Sequence, residues 1–139
     1  FFLFFIIFEI FTFFVGMLDL ETGHLRYCNA GHSAPFINGK PIPVDSNLPV
    51  GVLPDWEFTA QELDLAPGDT IFLFTDGLDE AENDQLELFG KQRINNILQD
   101  SSSLKPRALI ECMTKAVADF AGDTEQNDDL TMFALQWKK

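Results

Sequence analysis

Short apolar runs bounded by turn residues recur along the chain from Thr12 onward, and they predict several short β-strands. Phe13–Leu20 and Leu25–Asn29 are strand-like segments separated by the turn Glu21-Thr22-Gly23, an arrangement typical of a β-hairpin. A further extended segment is predicted over Trp56–Leu65, because its second half alternates leucine with acidic residues. Strands of this kind bury one face and leave the other in water.

A second hairpin is predicted around Asn38-Gly39, a dipeptide that favours a tight two-residue turn. The turn joins Ala34–Ile37 to Lys40–Ile42, and each of these arms contains a proline. Proline cannot donate a backbone hydrogen bond, so it is tolerated mainly where a strand lacks a neighbour on one side. We therefore expect both arms at the edge of a sheet.

Two further patterns define the rest of the chain. Thr70–Phe74 is apolar on both faces, which predicts a central strand, and Leu130–Trp137 is predicted to be the closing strand. Lys91–Gln99 and Pro106–Ala121 have apolar residues at three- and four-residue intervals, which predicts two helices. Pro106 suits a first helical turn and Gly122 suits a helix stop. The fold class is therefore α+β, with mostly antiparallel strands and helices packed outside.

The start of the chain, Phe1–Phe14, is rich in phenylalanine and isoleucine. It lacks the basic leading region and small-residue cleavage site of a signal peptide. As a membrane helix it is short of the roughly 18–20 residues required, and Glu9 interrupts it. We expect instead that the first residues continue an interior sheet, and that residues 1–139 are the C-terminal portion of one larger domain.

Composition narrows the function classes. The chain has 139 residues and a formal net charge of -13, so one domain is expected and nucleic acid is an unfavourable partner. An acidic, solvated surface explains most of this charge, and clustered carboxylates also suit a protein that binds a divalent cation. The cysteines Cys28 and Cys112 lie far apart without a zinc-type spacing, so zinc is not predicted.

Two acidic loops lie beside predicted strands. Asp76 in Thr75-Asp76-Gly77 follows the buried run Thr70–Phe74, and Asp128-Asp129 precede the closing strand. Carboxylates at strand ends are held by a rigid element yet face solvent, and two such ends that converge make a site for a hard cation. Taken singly, Asp-Gly is a common turn dipeptide, and adjacent acids are often only solvated. His32, in Asn29-Ala30-Gly31-His32, either stabilises its own turn or fixes a loop near such a site.

The case for function rests on several motifs in order: Asn29-Ala30-Gly31-His32, Pro49-Val50-Gly51-Val52, Pro67-Gly68-Asp69, Thr75-Asp76-Gly77, Glu80-Ala81, Leu88-Phe89-Gly90 and Asn127-Asp128-Asp129-Leu130-Thr131. This series resembles the metal-dependent protein phosphatases of the PPM (PP2C-like) superfamily, in the bacterial SpoIIE and RsbU branch. The resemblance runs from Thr12 to Gln136.

The resemblance implies a sandwich of two antiparallel β-sheets flanked by α-helices, with a binuclear Mn²⁺ or Mg²⁺ centre at one end. It also implies hydrolysis of phosphoserine or phosphothreonine by a metal-activated water, with no catalytic side chain beyond it. By the same resemblance, Asp76 and Asp128 are metal ligands. Gly77, Asp129, Asn29 and His32 support the site from nearby positions.

One part of the family pattern has no counterpart here. Family members begin with a strand that carries a metal-bridging Asp before a Gly-rich turn, whereas Phe1–Ile10 contains only Glu9. We therefore expect an N-terminally truncated domain that is inactive on its own. The alternative is a non-catalytic module with a PPM-like fold that binds a regulatory phosphoprotein.

The resemblance also suggests a partner and a setting. The expected substrate is a phosphorylated regulatory protein, such as an anti-sigma-factor antagonist, and an upstream sensor domain is expected in the complete protein. The expected location is the cytoplasm, or the cytoplasmic end of a membrane-bound sensor.

Overall fold

The computed structural model describes residues 11–126 and 128–139 and contains two antiparallel sheets. In chain order its elements are β1 (Phe13–Leu18), β2 (His24–Ala30), β3 (Phe36–Ile37), β4 (Lys40–Pro41), β5 (Gln61–Asp64), β6 (Thr70–Phe74), α1 (Gly90–Asp100), α2 (Pro106–Ala121) and β7 (Met132–Gln136). The strand orders are β1-β2-β5 and β4-β3-β6-β7. The predicted α+β class is confirmed.

The first sheet contains the predicted hairpin. β1 and β2 pair antiparallel from Phe13 opposite Ala30 to Leu18 opposite Leu25. β2 also pairs with β5, so it is the central strand of this sheet. Its alternate residues Leu25 and Tyr27 are each 3% exposed, because they point toward the second sheet.

The predicted strand Trp56–Leu65 is wrong in its first half, since regular pairing begins only at Gln61. In that first half, the Asn47 side chain takes the place of a neighbouring strand. The Asn47 amide donates to the Thr59 carbonyl at 3.0 Å, and the Thr59 N–H donates to Asn47 Oδ1 at 3.0 Å. Because these bonds satisfy the backbone of Thr59, this part of the chain needs no partner strand.

The second sheet is built around β6. This strand lies between β3 and β7, which confirms the predicted central position of Thr70–Phe74. Its register places Phe72 opposite Ala134 and Phe74 opposite Met132. The closing strand is shorter than predicted, because Leu130 and Thr131 belong to the preceding loop.

The second predicted hairpin forms around Asn38 and Gly39, with φ of 49° and 77°. Positive φ at both positions is the condition for the tight turn that the dipeptide favours. The prediction that both arms lie at an edge is only half right. β4 is an edge strand, whereas β3 pairs with β4 on one side and β6 on the other. Pro35 lies just before β3, so it removes no donor from the ladder.

The molecule has three layers, the first sheet, the second sheet and the helices. Alternation along β6 divides its side chains between two cores. Buried residues on the sheet-to-sheet side are Leu25, Tyr27, Ile42, Leu65, Ile71 and Trp137. Those on the helix side are Phe36, Phe72, Phe74, Leu78, Phe89, Ile94, Leu98, Leu109, Met113 and Val117.

Both predicted helices are confirmed, and α2 has the predicted bounds. Pro106 occupies its first turn, and Gly122 follows it with a φ of 59°. The prediction for Phe1–Ile10 lies outside the described residues. Within the described residues, no helix is both long and apolar enough to cross a membrane.

Candidate metal centre

The loop after β6 holds Asp76 at the end of the second sheet. The Leu78 N–H donates to the Thr75 carbonyl at 3.0 Å, and the Glu80 N–H donates to the Asp76 carbonyl at 2.9 Å. Leu78 is fully buried in the helix-side core and anchors this turn. Asp76 itself is exposed, so its carboxylate is available on a fixed backbone.

The loop before β7 carries the second pair of acids. Asp128 and Asp129 are both exposed. The Asp129 N–H donates to Asp128 Oδ1 at 2.7 Å, and the Gln126 amide donates to the Asp128 carbonyl. Leu130 then packs against the helix-side core. The loop therefore has an apolar anchor at one end and polar bonds that orient Asp128.

Thr75 joins the two loops. Its backbone N–H donates to the Thr131 carbonyl at 3.0 Å. Its hydroxyl donates to the Asp129 carbonyl at 3.0 Å and accepts from the Thr131 N–H at 2.9 Å. One side chain thus continues the β6–β7 ladder past the last paired residues and fixes the Asp129 backbone to the residue that precedes Asp76.

Gly77 brings the loops into backbone contact. A Cβ at this position would lie 2.5 Å from the Asp129 carbonyl oxygen and 2.9 Å from its carbonyl carbon. The glycine is buried, and its φ is not in the left-handed region. Close approach of two backbones, rather than an unusual conformation, explains the glycine. The sequence motif Asp76-Gly77 and the motif Asp128-Asp129 therefore meet in space.

Asn29 and His32 form a separate unit. The Asn29 amide donates to the His32 carbonyl, and the His32 N–H donates to Asn29 Oδ1, each at 2.8 Å. His32 Nδ1 lies 3.4 Å from the Thr12 hydroxyl. The two Asn29 bonds run from the end of β2 to the backbone of His32, so the Asn29 side chain closes this turn. The His32 imidazole contacts Thr12 instead. A supporting role for Asn29 and His32 at the acidic loops stays a prediction.

The donor chemistry fits a hard divalent cation. Asp76 and Asp128 offer carboxylate oxygens, the ligands that Mn²⁺ and Mg²⁺ prefer. A cavity of about 300 Å³ lies where the two loops meet, with Gly77 and Asp128 in its wall. Across residues 11–126 and 128–139, no three His, Cys, Asp or Glu side chains are grouped to hold a metal ion. Two carboxylates supply fewer than the roughly six ligands that such cations take.

Sequence reasoning assigned no role to Thr75 or Gln126, although both shape the acidic loops. The signal for Thr75 was its place directly before Asp76-Gly77, where a hydroxyl can bond across a strand end. Gln126 has no comparable signal, because its partner is a backbone carbonyl in an irregular loop. Glu80 and Glu82 also line the cavity beside Asp128 and add to its negative charge.

Comparison with known proteins identifies the class. The family model of stage II sporulation protein E (SpoIIE) matches residues 7–138, and the chain belongs to this family. Protein IcfG of Synechocystis sp. (strain ATCC 27184 / PCC 6803 / Kazusa) is 35% identical over 128 residues, which cover 89% of this chain and 20% of IcfG.

Solved structures agree with this family. The RsbU and RsbW domains of Rv1364c from Mycobacterium tuberculosis match with 26% identity and a TM-score of 0.68, over 91% of this chain and 36% of theirs. The Mn-presoaked phosphatase domain of the cell fate determinant SpoIIE from Bacillus subtilis matches with 18% identity and a TM-score of 0.69, over 92% of this chain and 56% of its own. The fold is therefore the PP2C-like sandwich that the sequence resemblance implied.

The chain spans only part of these relatives, 20% of IcfG and 56% of the SpoIIE phosphatase-domain chain. Family and fold are shared over nearly all of its length. The activity, substrates and partners of a complete protein are matters for proposal.

Proposed function

We propose that this chain is the C-terminal part of a metal-dependent phosphoprotein phosphatase domain that hydrolyses phosphoserine or phosphothreonine. One observation carries the proposal, the backbone contact between Gly77 and Asp129. That contact brings together the loops of Asp76 and Asp128, which are 52 positions apart in sequence (128 minus 76). Membership of the SpoIIE family supports a phosphatase.

Asp76 and Asp128 would hold the cation, which is Mn²⁺ or Mg²⁺. The Mn-presoaked SpoIIE phosphatase domain supports this choice of metal. Further ligands would come from water and from protein groups other than these two loops, in keeping with the binuclear centre expected for the complete domain. A bound cation would lower the pKa of a coordinated water and offset the charge of the phosphoryl group.

The residues of this chain have a positioning task. Thr75 and Gly77 fix the distance between the two loops through hydrogen bonds and close backbone packing. The Asp129 N–H bonded to Asp128 Oδ1 orients that carboxylate. Because ligands held in place lose little conformational entropy on binding, this arrangement favours cation affinity and a defined geometry.

The acidic surroundings also bear on substrate binding. Asp76, Glu80 and Asp128 repel a phosphoryl group unless a cation lies between them. Cation binding is therefore expected to precede phosphoprotein binding. The proposed substrate is a phosphorylated regulatory protein, such as an anti-sigma-factor antagonist. Rv1364c contains an RsbU domain and an RsbW domain, which supports a multi-domain setting. A cytoplasmic location and an upstream sensor domain are part of the proposal.

Phosphate release by the complete protein tests the proposal. Phosphoserine and phosphothreonine proteins are incubated with Mn²⁺, with Mg²⁺ or with a chelator, and inorganic phosphate is measured. We expect release with either cation and none with the chelator. Activity that survives the chelator, or that is restricted to small phosphomonoesters, contradicts the proposal. Binding of a phosphoprotein without any release would support the non-catalytic alternative.

A further inference from the structure

A second cavity lies next to the cavity beside Asp128. Its volume is about 330 Å³, and the C-terminal half of α2 and the loop after that helix form its walls. The two cavities share Ala81, Glu82 and Gln126 in their linings. The second cavity, called here the α2 trough, therefore adjoins the cavity beside Asp128.

The floor of the α2 trough is apolar and fixed. Val117 is 7% exposed and belongs to the helix-side core, and Leu130 packs against the same core. Ala118 and Ala121 add small side chains that leave room above the floor. A rigid apolar depression of this kind accommodates an apolar side chain without rearrangement.

The rim of the α2 trough is negatively charged. Glu82 and Glu125 line it, and Glu80 lines the neighbouring cavity. α2 ends at this rim, at Ala121 and Gly122, and its last turn carries no basic residue. The carbonyl groups at a helix C-terminus carry partial negative charge and favour cations. The acidic side chains and the C-terminal end of α2 therefore both favour a positively charged ligand group at this rim.

We infer that the α2 trough binds the segment of the phosphoprotein substrate that adjoins the phosphorylated residue. It selects a segment with one apolar side chain and one Lys or Arg. This inference rests on the proposed function, because the metal centre places the phosphorylated residue beside the wall formed by Ala81 and Gln126. The apolar group then lies on the floor, and the basic group faces Glu82 and Glu125.

Kinetics with paired phosphopeptides test the inference in the complete protein. Both phosphoserine peptides have a leucine next to the phosphoserine, and they differ in carrying either an arginine or a glutamate beside it. Phenyl phosphate is the reference substrate, because it reaches only the metal centre. For the wild type we expect kcat/KM to be higher for the arginine peptide. Glu125→Gln should reduce that preference about two- to fivefold, in the range of an exposed charge pair.

A second variant addresses the apolar floor. Ala118→Leu fills the α2 trough and should reduce kcat/KM for the arginine peptide about tenfold relative to phenyl phosphate, because overfilling a fixed site displaces its ligand. Asp119→Asn is the matched control. It removes one exposed carboxylate from α2 at a position outside the lining of the trough. It should leave the peptide preference at the wild-type value.

The outcomes separate this inference from the proposed function. The inference about the α2 trough is overturned, and the proposed phosphatase function stands, if both peptides are hydrolysed equally well. The same holds if Glu125→Gln and Asp119→Asn have equal effects. If no substrate is hydrolysed, the proposed function fails, and fluorescence anisotropy with the unphosphorylated peptides decides the trough. The inference about the α2 trough is supported if the arginine peptide binds more tightly than the glutamate peptide and Glu125→Gln weakens that binding. It is overturned if both peptides bind equally or if neither binds.

Discussion

Thr75 and Thr131 are joined by two hydrogen bonds that run in opposite directions at the end of the β6–β7 ladder. The Thr75 N–H donates to the Thr131 carbonyl at 3.0 Å, and the Thr131 N–H donates to the Thr75 hydroxyl at 2.9 Å. The same hydroxyl donates to the Asp129 carbonyl at 3.0 Å. A single oxygen atom therefore satisfies two backbone groups of the loop that carries Asp128.

Thr75→Val should destabilise the protein by about 1–3 kcal/mol. Valine has nearly the shape of threonine, but it leaves the Thr131 N–H and the Asp129 carbonyl without this partner. Thr75→Ser keeps the hydroxyl and is the control, with an expected loss of less than about 1 kcal/mol. Urea unfolding monitored by tryptophan fluorescence measures both. Equal losses for valine and serine would mean that removing the hydroxyl costs no more than removing the methyl group, which contradicts the hydrogen-bond account.

Gly77→Ala should separate the two acidic loops. The new Cβ would meet the Asp129 carbonyl oxygen at 2.5 Å, and both groups belong to backbone that must move. We expect a loss of about 1–3 kcal/mol in stability and, in the complete protein, a loss of about 10- to 100-fold in kcat/KM, since small displacements of ligands are costly.

Gly16→Ala is the control for this substitution. Its Cβ would meet side-chain atoms of Leu25 and Phe14 at 3.2 and 3.3 Å, which can adjust. It should leave phosphatase activity unchanged. If Gly77→Ala retains wild-type activity, the close contact between the loops is not needed for the site.

The sequence predicted those features that repeat with a short period. Thr70–Phe74 and Pro106–Ala121 match the observed β6 and α2, because continuous burial and a helical apolar stripe are both local patterns. The Asn47–Thr59 bonds were missed, because a side chain that replaces a strand leaves no periodic trace. The edge position predicted for β3 was wrong. The sequence alone does not show whether Pro35 lies inside the strand or just before it.

The candidate site was predictable to a similar degree. Burial of the strand before Asp76 indicated a fixed acidic loop, and the structure places the loop of Asp128 and Asp129 against Gly77. Two details required coordinates. These are the Thr75 hydroxyl bridge and the local ring of Asn29 and His32, which the motif alone does not distinguish from a contact with the acidic loops.

Stability should depend on the protonation of His24. Its Nδ1 lies 2.7 Å from Asp64 Oδ1 on the neighbouring strand, and its Nε2 lies 3.7 Å from Glu62 Oε2. The hydrogen bond to Asp64, with smaller contributions from Asp64, Glu62 and Asp19 charges, raises the pKa of His24 above its usual value. The folded state therefore binds the proton more tightly than the unfolded state, whose pKa is about 6.5.

The stabilisation is fully present below about pH 6.5 and is lost as the pH rises through the pKa of folded His24. Urea midpoints between pH 5.5 and 8.5 should fall with pH for the wild type and fall less for His24→Gln. The difference between the two should shrink in high salt, because the groups are exposed. NMR titration that finds the His24 pKa at or below 6.5 would contradict the prediction.

Asp76 and Asp128 should act together in binding a divalent cation, because the two negative charges repel each other unless a cation is present. In the complete protein, Asp76→Asn or Asp128→Asn should abolish Mn²⁺-dependent activity and leave the unfolding midpoint near the wild-type value. Both side chains are exposed and contribute little to the core. Glu57→Gln, which also removes one exposed carboxylate but lies in the segment before β5, should change neither property.

Residues 1–139 alone should bind Mn²⁺ weakly and release it quickly. The two carboxylates leave several coordination positions to water, so each ion gains little over its hydrated state. Isothermal titration calorimetry measures the affinity and the number of ions bound, and Asp76→Asn should weaken the binding further. Tight binding of two ions by residues 1–139 would mean that they hold a complete ligand set. The account of Asp76 and Asp128 as two ligands of a larger centre would then be wrong.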